Sequence, residues 1–507
     1  MTTVTREHLD LLVVGAGISG IGMGCHFERE LPGRSYAILE SRPALGGTWD
    51  LFRYPGIRSD SDLHTLGYAF KPWTGDLAIA DGQSILDYIT EAAEENGVAE
   101  HIRYGLRAVK AAWSSEEALW TVEVEEVATG ERSEIQARWL FGATGYYRYD
   151  RGHRPEFPGE ERFAGPVIHP QFWPEDLDYA GKRVVVIGSG ATAITLVPTL
   201  ARDAAHVTML QRSPTYVMPV PAEDRLANAM RDRLGPMAAY RITRALHIVG
   251  QQVIYRLCRR FPRLMRRWIR SVNAKYLPEG YPVDVHFRPA YDPWDQRLCA
   301  VPDADLYRVI GDGSASVVTD SVASFTETGI ELESGESLQA DIIVTATGFE
   351  LLFMGGIEVE VDGQPVSLGD AWVFKGMMLS GVPNFALAVG YTSSSWTLKV
   401  DLVCEYFCRL MAFSESLGCE AVVAEPVGPI DERPLLDFGA GYVKRYAEGL
   451  PRQGARAPWR LTQAYPVDAR YLRHGRVDDP ELRFFSATGA AGFAGEPAAA
   501  VSGPASS

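Results

Sequence analysis

The chain has 507 residues, 46% of them hydrophobic and 22% charged, the composition of a globular protein of roughly two to four domains. Its 49 Lys+Arg against 65 Asp+Glu give a formal charge of −16, which argues against nucleic acid as the partner. No run approaches the ~18 apolar residues of a transmembrane helix. The first apolar run, Leu9 to Val14, leads straight into a glycine turn, which is not a signal-peptide pattern.

Leu9 to Glu40 reads as strand, turn, helix and strand. The turn is Gly15-Ala-Gly17-Ile-Ser19-Gly20. Its first glycine makes the tight turn and its second lets the backbone approach a pyrophosphate. Its third lets the helix pack close to the strand, and the helix N-terminus faces the phosphates. Glu40, twenty residues on, is placed to accept ribose hydroxyls. Trp120 to Val127 and Glu134 to Phe141 then read as antiparallel strands joined at Thr129-Gly130.

Arg183 to Arg212 repeats the first unit, with the turn Gly188-Ser189-Gly190-Ala191-Thr192-Ala193. At the place of the acid stands Arg212, followed by Ser213. A cation there suits a 2′-phosphate and favours NADP over NAD; the plainer reading is a solvated surface charge. Both units carry near-continuous apolar strands, as a parallel sheet requires. The pair implies two dinucleotides, commonly FAD at the N-terminal site and NADPH at the other. Phe141-Gly-Ala-Thr-Gly145 and Ile343-Val-Thr-Ala-Thr-Gly348 end two strands with the same tripeptide.

Residues 222 to 278 lose the strand pattern and carry apolar residues at helical spacing, among them Leu226, Leu234, Leu257, Phe261, Leu264, Met265 and Trp268. This insert holds thirteen Lys/Arg against three acids, a net +10 that leaves −26 for the rest. One reading is a solvated face packed on the acidic body; the other is a membrane-surface helix. Strand texture returns at Ser316 to Phe325 and Asp341 to Thr345, and a long helix is expected from about Ser395 to Ser414. Six scattered cysteines, without Cys-x-x-Cys or zinc spacing, read as reduced thiols of a cytoplasmic protein, and no metal site is expected.

Between the two units lies Phe163-Ala-Gly165-Pro-Val-Ile-His169-Pro-Gln-Phe-Trp173-Pro174. It resembles the fingerprint of type I Baeyer–Villiger flavin monooxygenases, Phe-x-Gly-x-x-x-His-x-x-x-Trp-Pro. The stretches Gly46 to Asp60, Tyr291 to Cys299 and Gly381 to Lys399 are similar to further blocks of that family. The closest subgroup contains the bacterial ethionamide-activating monooxygenase. The two Ala-Thr-Gly segments resemble the crossings between its domains.

The resemblance implies an α/β fold of two Rossmann-like dinucleotide-binding domains, for FAD and NADP, with a helical insertion. The FAD domain would span 1–148 and 346–486 and the NADP domain 149–345, with the insertion at 222–280 and a disordered tail at 487–507. The implied activity inserts one oxygen of O2 beside a ketone carbonyl, giving an ester or lactone through a C4a-peroxyflavin. Substrates would be hydrophobic ketones, with thioethers oxidised as a side reaction. Arg297 would be the fixed cation beside the flavin, and Asp60 its acidic partner. Asp60 also reads as a helix N-cap. Gly47, Thr48 and Trp49 would lie on the flavin side, Val109 would offer backbone to the adenine of FAD, and Arg58 would lie near the nicotinamide. His169 would couple domain motion to nucleotide binding. Many members carry Lys where this chain has Gln296, which shifts NADP selectivity onto Arg212 and Ser213. Three other readings stand beside this one: a heteroatom monooxygenase acting on sulfur or nitrogen, a dithiol reductase, and a non-catalytic NADPH-binding sensor.

Overall fold

The computed structural model describes residues 7–296, 298–435, 445–446 and 449–486. Arg297 and the tail 487–507 lie outside them. The fold is built on two open sheets, each begun by one of the glycine units.

The chain starts with β1 (His8–Val14), α1 (Ile18–Glu30) and β2 (Tyr36–Glu40). The strand Leu-Leu-Val-Val is buried on both faces, so it runs parallel to its neighbours as the apolar pattern requires. Short helices α2 (Thr48–Leu51) and α3 (Leu63–Leu66) and the longer α4 (Gly82–Glu95) follow. Then come β3 (Ile102–Tyr104), β4 (Leu106–Ser114), β5 (Leu119–Glu126) and β6 (Arg132–Gly142). β5 and β6 pair antiparallel, as expected, β4 joins β5 in the same sense, and β6 then lies parallel to β1. Strands Glu358–Val361 and Gln364–Pro365 extend the edge beyond β4, and Phe385–Leu387 adds to β6, giving nine strands.

β7 (Tyr147–Gly152) leaves this sheet, and β8 (Val167–Ile168) and β9 (Arg183–Ile187) enter the second. With α5 (Ala191–Leu200) and β10 (His206–Gln211) they repeat the opening unit. β11 (Tyr216–Val220) leads into the insertion, made of α6 (Arg225–Leu234), α7 (Pro236–Arg260) and α8 (Pro262–Tyr276). After α9 (Val283–His286), β12 (Leu298–Pro302) pairs parallel with β11, and α10 (Asp305–Gly311) and β13 (Ala315–Thr319) return to the sheet. The expected strand Ser316 to Phe325 is therefore two. It breaks at Asp320-Ser321, and β14 (Val322–Thr326) joins a small meander with β15 (Gly329–Leu332) and β16 (Ser337–Gln339). β17 (Ile342–Thr345) completes the all-parallel order β13-β10-β9-β17-β8. β18 (Phe349–Leu351) then carries the chain back, pairing antiparallel with β7. The fold class is thus the expected one, two Rossmann-like units with a helical insertion.

The long helix α11 (Trp396–Ser416) packs its buried side chains against α1. It also anchors the insertion. Arg244 of α7, 7% exposed, donates to Asp401 Oδ2 of α11 (2.9 Å) and to the carbonyls of His64 and Gly67 (2.9 and 2.6 Å). Such a desolvated cation is tolerated only because every partner is supplied.

α7 turns a mixed side inward, Ala239, Tyr240, Ile248 and Cys258 together with Thr243, Arg244 and Gln252, while a second aliphatic stripe, Ile242, Leu246, Val249, Val253 and Leu257, is 40–59% exposed. Leu226, Leu234, Phe261, Leu264 and Trp268 are exposed too. Of the apolar residues singled out in this insert, Met265 is buried and most of the rest face outward. Nor is the insert simply packed on the acidic body: among the described residues, of its lysines and arginines only Arg231 (with Asp76) and Arg244 (with Asp401) pair there, beside His247 with Asp62. Arg259 and Arg266 pair with Asp295 and Asp292 of the adjoining loop, and Arg270 with Asp284 of α9.

Candidate dinucleotide and oxygenation site

The two glycine turns share one construction. Gly15 N–H donates to Leu39 O (2.7 Å) and Gly188 N–H to Leu210 O (2.8 Å), closing each turn onto the next strand. Gly15 (φ +104°) and Gly188 (φ +143°) sit where a Cβ would fall 2.6 and 2.3 Å from the carbonyls of Ala143 and Ala346. Those alanines open the two Ala-Thr-Gly segments. Each crossing segment is therefore packed directly beneath one glycine turn, and the repeated tripeptide has a steric reason.

Three helices begin around one cavity of about 1660 Å³. α1 starts at Gly17, α5 at Gly190 and α11 at Ser395, and none has a side-chain cap or an acid in its first turn. Their free N–H groups and dipoles favour an anion. Ser19 is held from the side by Trp396, whose Nε1–H donates to its Oγ (2.8 Å). Glu40 is buried; its carboxylate accepts from Ala16 N–H (2.9 Å) and Arg42 N–H (3.0 Å) and borders the cavity with lone pairs to spare.

Of the residues named from sequence, Gly15, Gly17, Ser19, Glu40, Gly47, Thr48, Trp49, Arg58 and Asp60 line this cavity. Gly20 sits behind the turn, where a Cβ would come within 1.8 Å of Gly15 O. Val109 falls at a bulge between Ala108 and Lys110, and the cavity wall there is Leu106, Arg107 and Ala108. Arg58 spends its guanidinium on Asp305 at the start of α10 (2.5 and 3.4 Å), so it ties the Gly46 to Asp60 stretch to the second unit. Asp60 is exposed. The N-cap of α3 is Asp62, which accepts from Thr65 N–H (3.0 Å), and that removes the capping reading of Asp60. Trp294 and Leu298, either side of Arg297 in sequence, both line the cavity. Trp294 holds a left-handed backbone (φ +72°), a strained conformation for an aromatic residue.

The second turn reaches the cavity only through Ala191 and Thr192. Gly190 is exposed, with nothing within 4 Å of a Cβ built on it. Ser189 Oγ donates to Ser213 O (3.1 Å), which brings the Arg212-Ser213 corner beside the turn. Arg212 and Ser213 are exposed, and Arg212 makes no ion pair among the described residues.

The fingerprint lies away from the cavity, at the crossings. His169 Nδ1 accepts from Gln171 N–H (3.2 Å), so its Nε2–H donates to Gly348 O (3.0 Å). These two bonds fix the neutral tautomer. Burial holds its pKa below the ordinary value, with Arg154 and His153 acting the same way against the bond to Gly348. The ring lies over Gly152 of β7, where a Cβ would come within 2.1 Å of Cε1. Gln171 Nε2 donates to the carbonyls of Arg148 and Tyr149 (2.9 Å each). His169 and Gln171 thus hold both chain crossings. Phe163 is buried on Phe325, Gly165 abuts Asp341 O, Trp173 packs on the second sheet and Pro174 is exposed.

Several wall residues escape a motif reading. Tyr146, Tyr147 and Phe349 pack as tilted rings at the crossings (4.4 and 4.9 Å), and Tyr146 meets Trp396 (5.3 Å). The run Tyr146-Tyr147-Arg148-Tyr149 after the first Ala-Thr-Gly was the available signal. His247 of α7 bridges Asp62 (3.0 Å) and Asp224 (2.8 Å), the N-caps of α3 and α6. Burial would lower its pKa, but the two carboxylates more than offset this and raise it to about 9. Distances of 162 and 23 residues along the chain hide that triad from sequence.

The residues fit two dinucleotides: uncapped helix starts, backbone open at Gly17 and Gly190, and a carboxylate and a cation at the two strand ends. All six cysteines are free; Cys404 and Cys408 are buried on α11, with burial raising both thiols well above the ordinary range. That is the wrong setting for a redox dithiol. No metal-holding cluster and no helix long and apolar enough to cross a membrane occurs among the described residues.

Residues 12–247 match the family model of pyridine nucleotide-disulphide oxidoreductases. The chain is 52% identical over 480 residues to the FAD-containing monooxygenase EthA of Mycobacterium tuberculosis, covering 94% of this chain and 98% of that protein. Among solved structures it is similar to a steroid monooxygenase bound to NADP (TM-score 0.73, 21% identity, 94% and 100% covered). It is also similar to cyclohexanone monooxygenase in an open form (TM-score 0.72, 20% identity, 95% and 100% covered).

Proposed function

The chain belongs to the EthA-type FAD-containing monooxygenases, and from that premise we propose that it is an NADPH-dependent Baeyer–Villiger monooxygenase. It takes hydrophobic ketones and O2 and releases esters or lactones, with thioethers as lesser substrates. The observation that carries the reading is the single cavity onto which α1, α5 and α11 all open their N-termini.

FAD, when bound, supplies oxygen activation, and NADPH supplies the hydride that makes it possible. The chain's part is to bind, orient and stabilise charge. The first sheet with its helices would hold FAD, with Gly15, Gly17 and Ser19 facing the pyrophosphate, Gly20 packing the helix onto the turn, and Glu40 on the ribose. Gly47, Thr48 and Trp49 close the flavin side, and the bulge at Val109 frees backbone near the adenine. The second sheet, within 149–345, holds NADPH on Gly188 to Thr192. Arg212 and Ser213 meet the 2′-phosphate, and Gln296 leaves that selectivity to them.

Arg297 is the non-titrating cation that stabilises negative charge on the reacting oxygens, with Asp60 orienting it. Support comes from the cavity positions of Trp294, Leu298 and Asp60. His169 is hydrogen-bonded to backbone on both nitrogens, so neither its N–H nor its lone pair is free for a reacting group. It is a positioning residue that couples the crossings, together with Phe163, Gly165, Trp173 and Pro174.

The test is to purify the yellow protein and screen aliphatic, aryl and cyclic ketones for NADPH-dependent ester formation. NADPH oxidation that yields only peroxide with every ketone would overturn the reading. Sulfoxide formation without any ester would instead favour the heteroatom monooxygenase. Arg297→Ala should still consume the first equivalent of NADPH but form no ester.

A further inference from the structure

The outward face of the insertion is unlike the rest of the surface. On α7, Ile242, Leu246, Val249, Val253 and Leu257 follow one another at helical spacing and are 40–59% exposed. They form one aliphatic stripe about 22 Å long. On α8, Leu264 and Trp268 are 63% and 45% exposed, with Phe261 at 48% in the joint between the helices. From Pro236 to Tyr276 there is not one Asp or Glu. Arg233, Arg241, Arg256, Arg260, Arg263, Arg267 and Lys275 are all exposed, and none makes an ion pair among the described residues.

The inward side of α7 is already filled: Tyr240, Ile248 and Cys258 are buried there, and Arg244 ties it to Asp401 and to backbone carbonyls. The aliphatic side therefore has no partner within the fold. Cations and aromatic residues interleaved with exposed aliphatics are the chemistry of a helix lying in a lipid headgroup layer. An acidic protein surface would satisfy the cations but leave the stripe unmatched, and a second copy meeting it with the same face would match the stripe but set its cations against each other. The face also opens inward: Ile254, Trp268 and Tyr276, each 43–50% exposed, line the cavity as well.

We propose that the α7–α8 face docks on an anionic lipid surface, and that apolar molecules enter the cavity from that side. Docking is independent of the oxygenation chemistry; entry by this route rests on the function proposed above.

The holoenzyme is sedimented with vesicles of equimolar phosphatidylcholine and phosphatidylglycerol, or of phosphatidylcholine alone. Binding should be confined to the anionic vesicles and should fall when salt rises from 0.1 to 1 M, as the screening length drops from about 10 to about 3 Å. Val249→Asp/Val253→Asp should cut binding by about tenfold or more, and Arg263→Gln/Arg267→Gln should weaken it at low salt. Both sites are exposed, so melting temperature and flavin content should match wild type. Quenching of Trp268 by brominated lipid, absent in Trp268→Phe, reports insertion directly. Failure of the wild type to sediment with either vesicle, equal binding to neutral vesicles, or undiminished binding by the aspartate double variant would overturn the proposal. A concentration-dependent dimer abolished by that variant, with no vesicle binding, would assign the face to a second copy instead. Ester formation from a soluble ketone is measured alongside. It stays unchanged in both double variants if docking alone is lost, so failure of docking and failure of the oxygenase reading are separable.

Discussion

The two glycine turns differ where their local patterns agree. In the first, Ser19 and Gly20 are buried, the acid Glu40 is 5% exposed, and α11 and the tyrosines of the crossing close over the cavity. In the second, Gly190 and Arg212 are exposed, and only Ala191 and Thr192 reach the cavity. One local motif is set once as a closed seat and once as an open shelf. The first suits a cofactor that stays; the second suits one that must arrive and leave each turnover.

The sharpest break of this contrast is Gly20→Ala. Its Cβ would fall 1.8 Å from Gly15 O, against backbone that cannot step aside. We expect a loss of about 3 kcal/mol and a colourless protein, read by denaturant unfolding and absorbance near 450 nm. The second turn already has Ala193 at that place, so Ala193→Gly should cost only about 1 kcal/mol and keep NADPH binding. Full flavin content in Gly20→Ala would dissolve the distinction.

Arg212→Ala tests the open shelf. Losing a charged hydrogen bond to phosphate costs about 2 kcal/mol, or about 30-fold. That loss should appear in KM for NADPH, with kcat and the KM for NADH unmoved. Gly190→Ala should leave stability within about 0.5 kcal/mol, since nothing lies within 4 Å of the new methyl. It should still raise the NADPH KM, because the methyl stands where the pyrophosphate must approach.

Two histidines give smaller, opposite pH effects at the joints between these regions. His169 has its pKa lowered by burial, so its contribution to stability is present above about 6.5 and is lost as pH falls below it. His247 has its pKa raised to about 9 by Asp62 and Asp224, with His64 edge-on beside it. Its contribution is present below about 6.5 and is lost as pH rises through about 9. Unfolding of His169→Gln should lose the acid-side dependence and that of His247→Gln the alkaline-side dependence, each leaving the other limb intact.

Much of the site was legible because it is local. A glycine needed for a tight turn, a strand before it and a charge at the next strand end lie within about thirty residues, and the backbone enforces their proximity. The Ala-Thr-Gly repeats were legible as strand ends, but not as the floors of the two turns, since Ala143 and Ala346 meet Gly15 and Gly188 only through parallel pairing. His169 was readable as a residue of the linker. Its grip on Gly152 and Gly348 required β7 and β18 to be paired.

By itself the sequence determined the two nucleotide units, their order, the cation and acid that distinguish them, and the presence of basic helices between them. Only the tertiary structure decided which side of α7 meets the protein. Periodicity shows that a stripe exists but not what medium it faces. Here a buried arginine, matched by Asp401 and the carbonyls of His64 and Gly67, together with buried Tyr240, Ile248 and Cys258, outweighs five aliphatic side chains. A desolvated cation must find every one of its partners, whereas an exposed aliphatic stripe needs only a surface elsewhere to cover it.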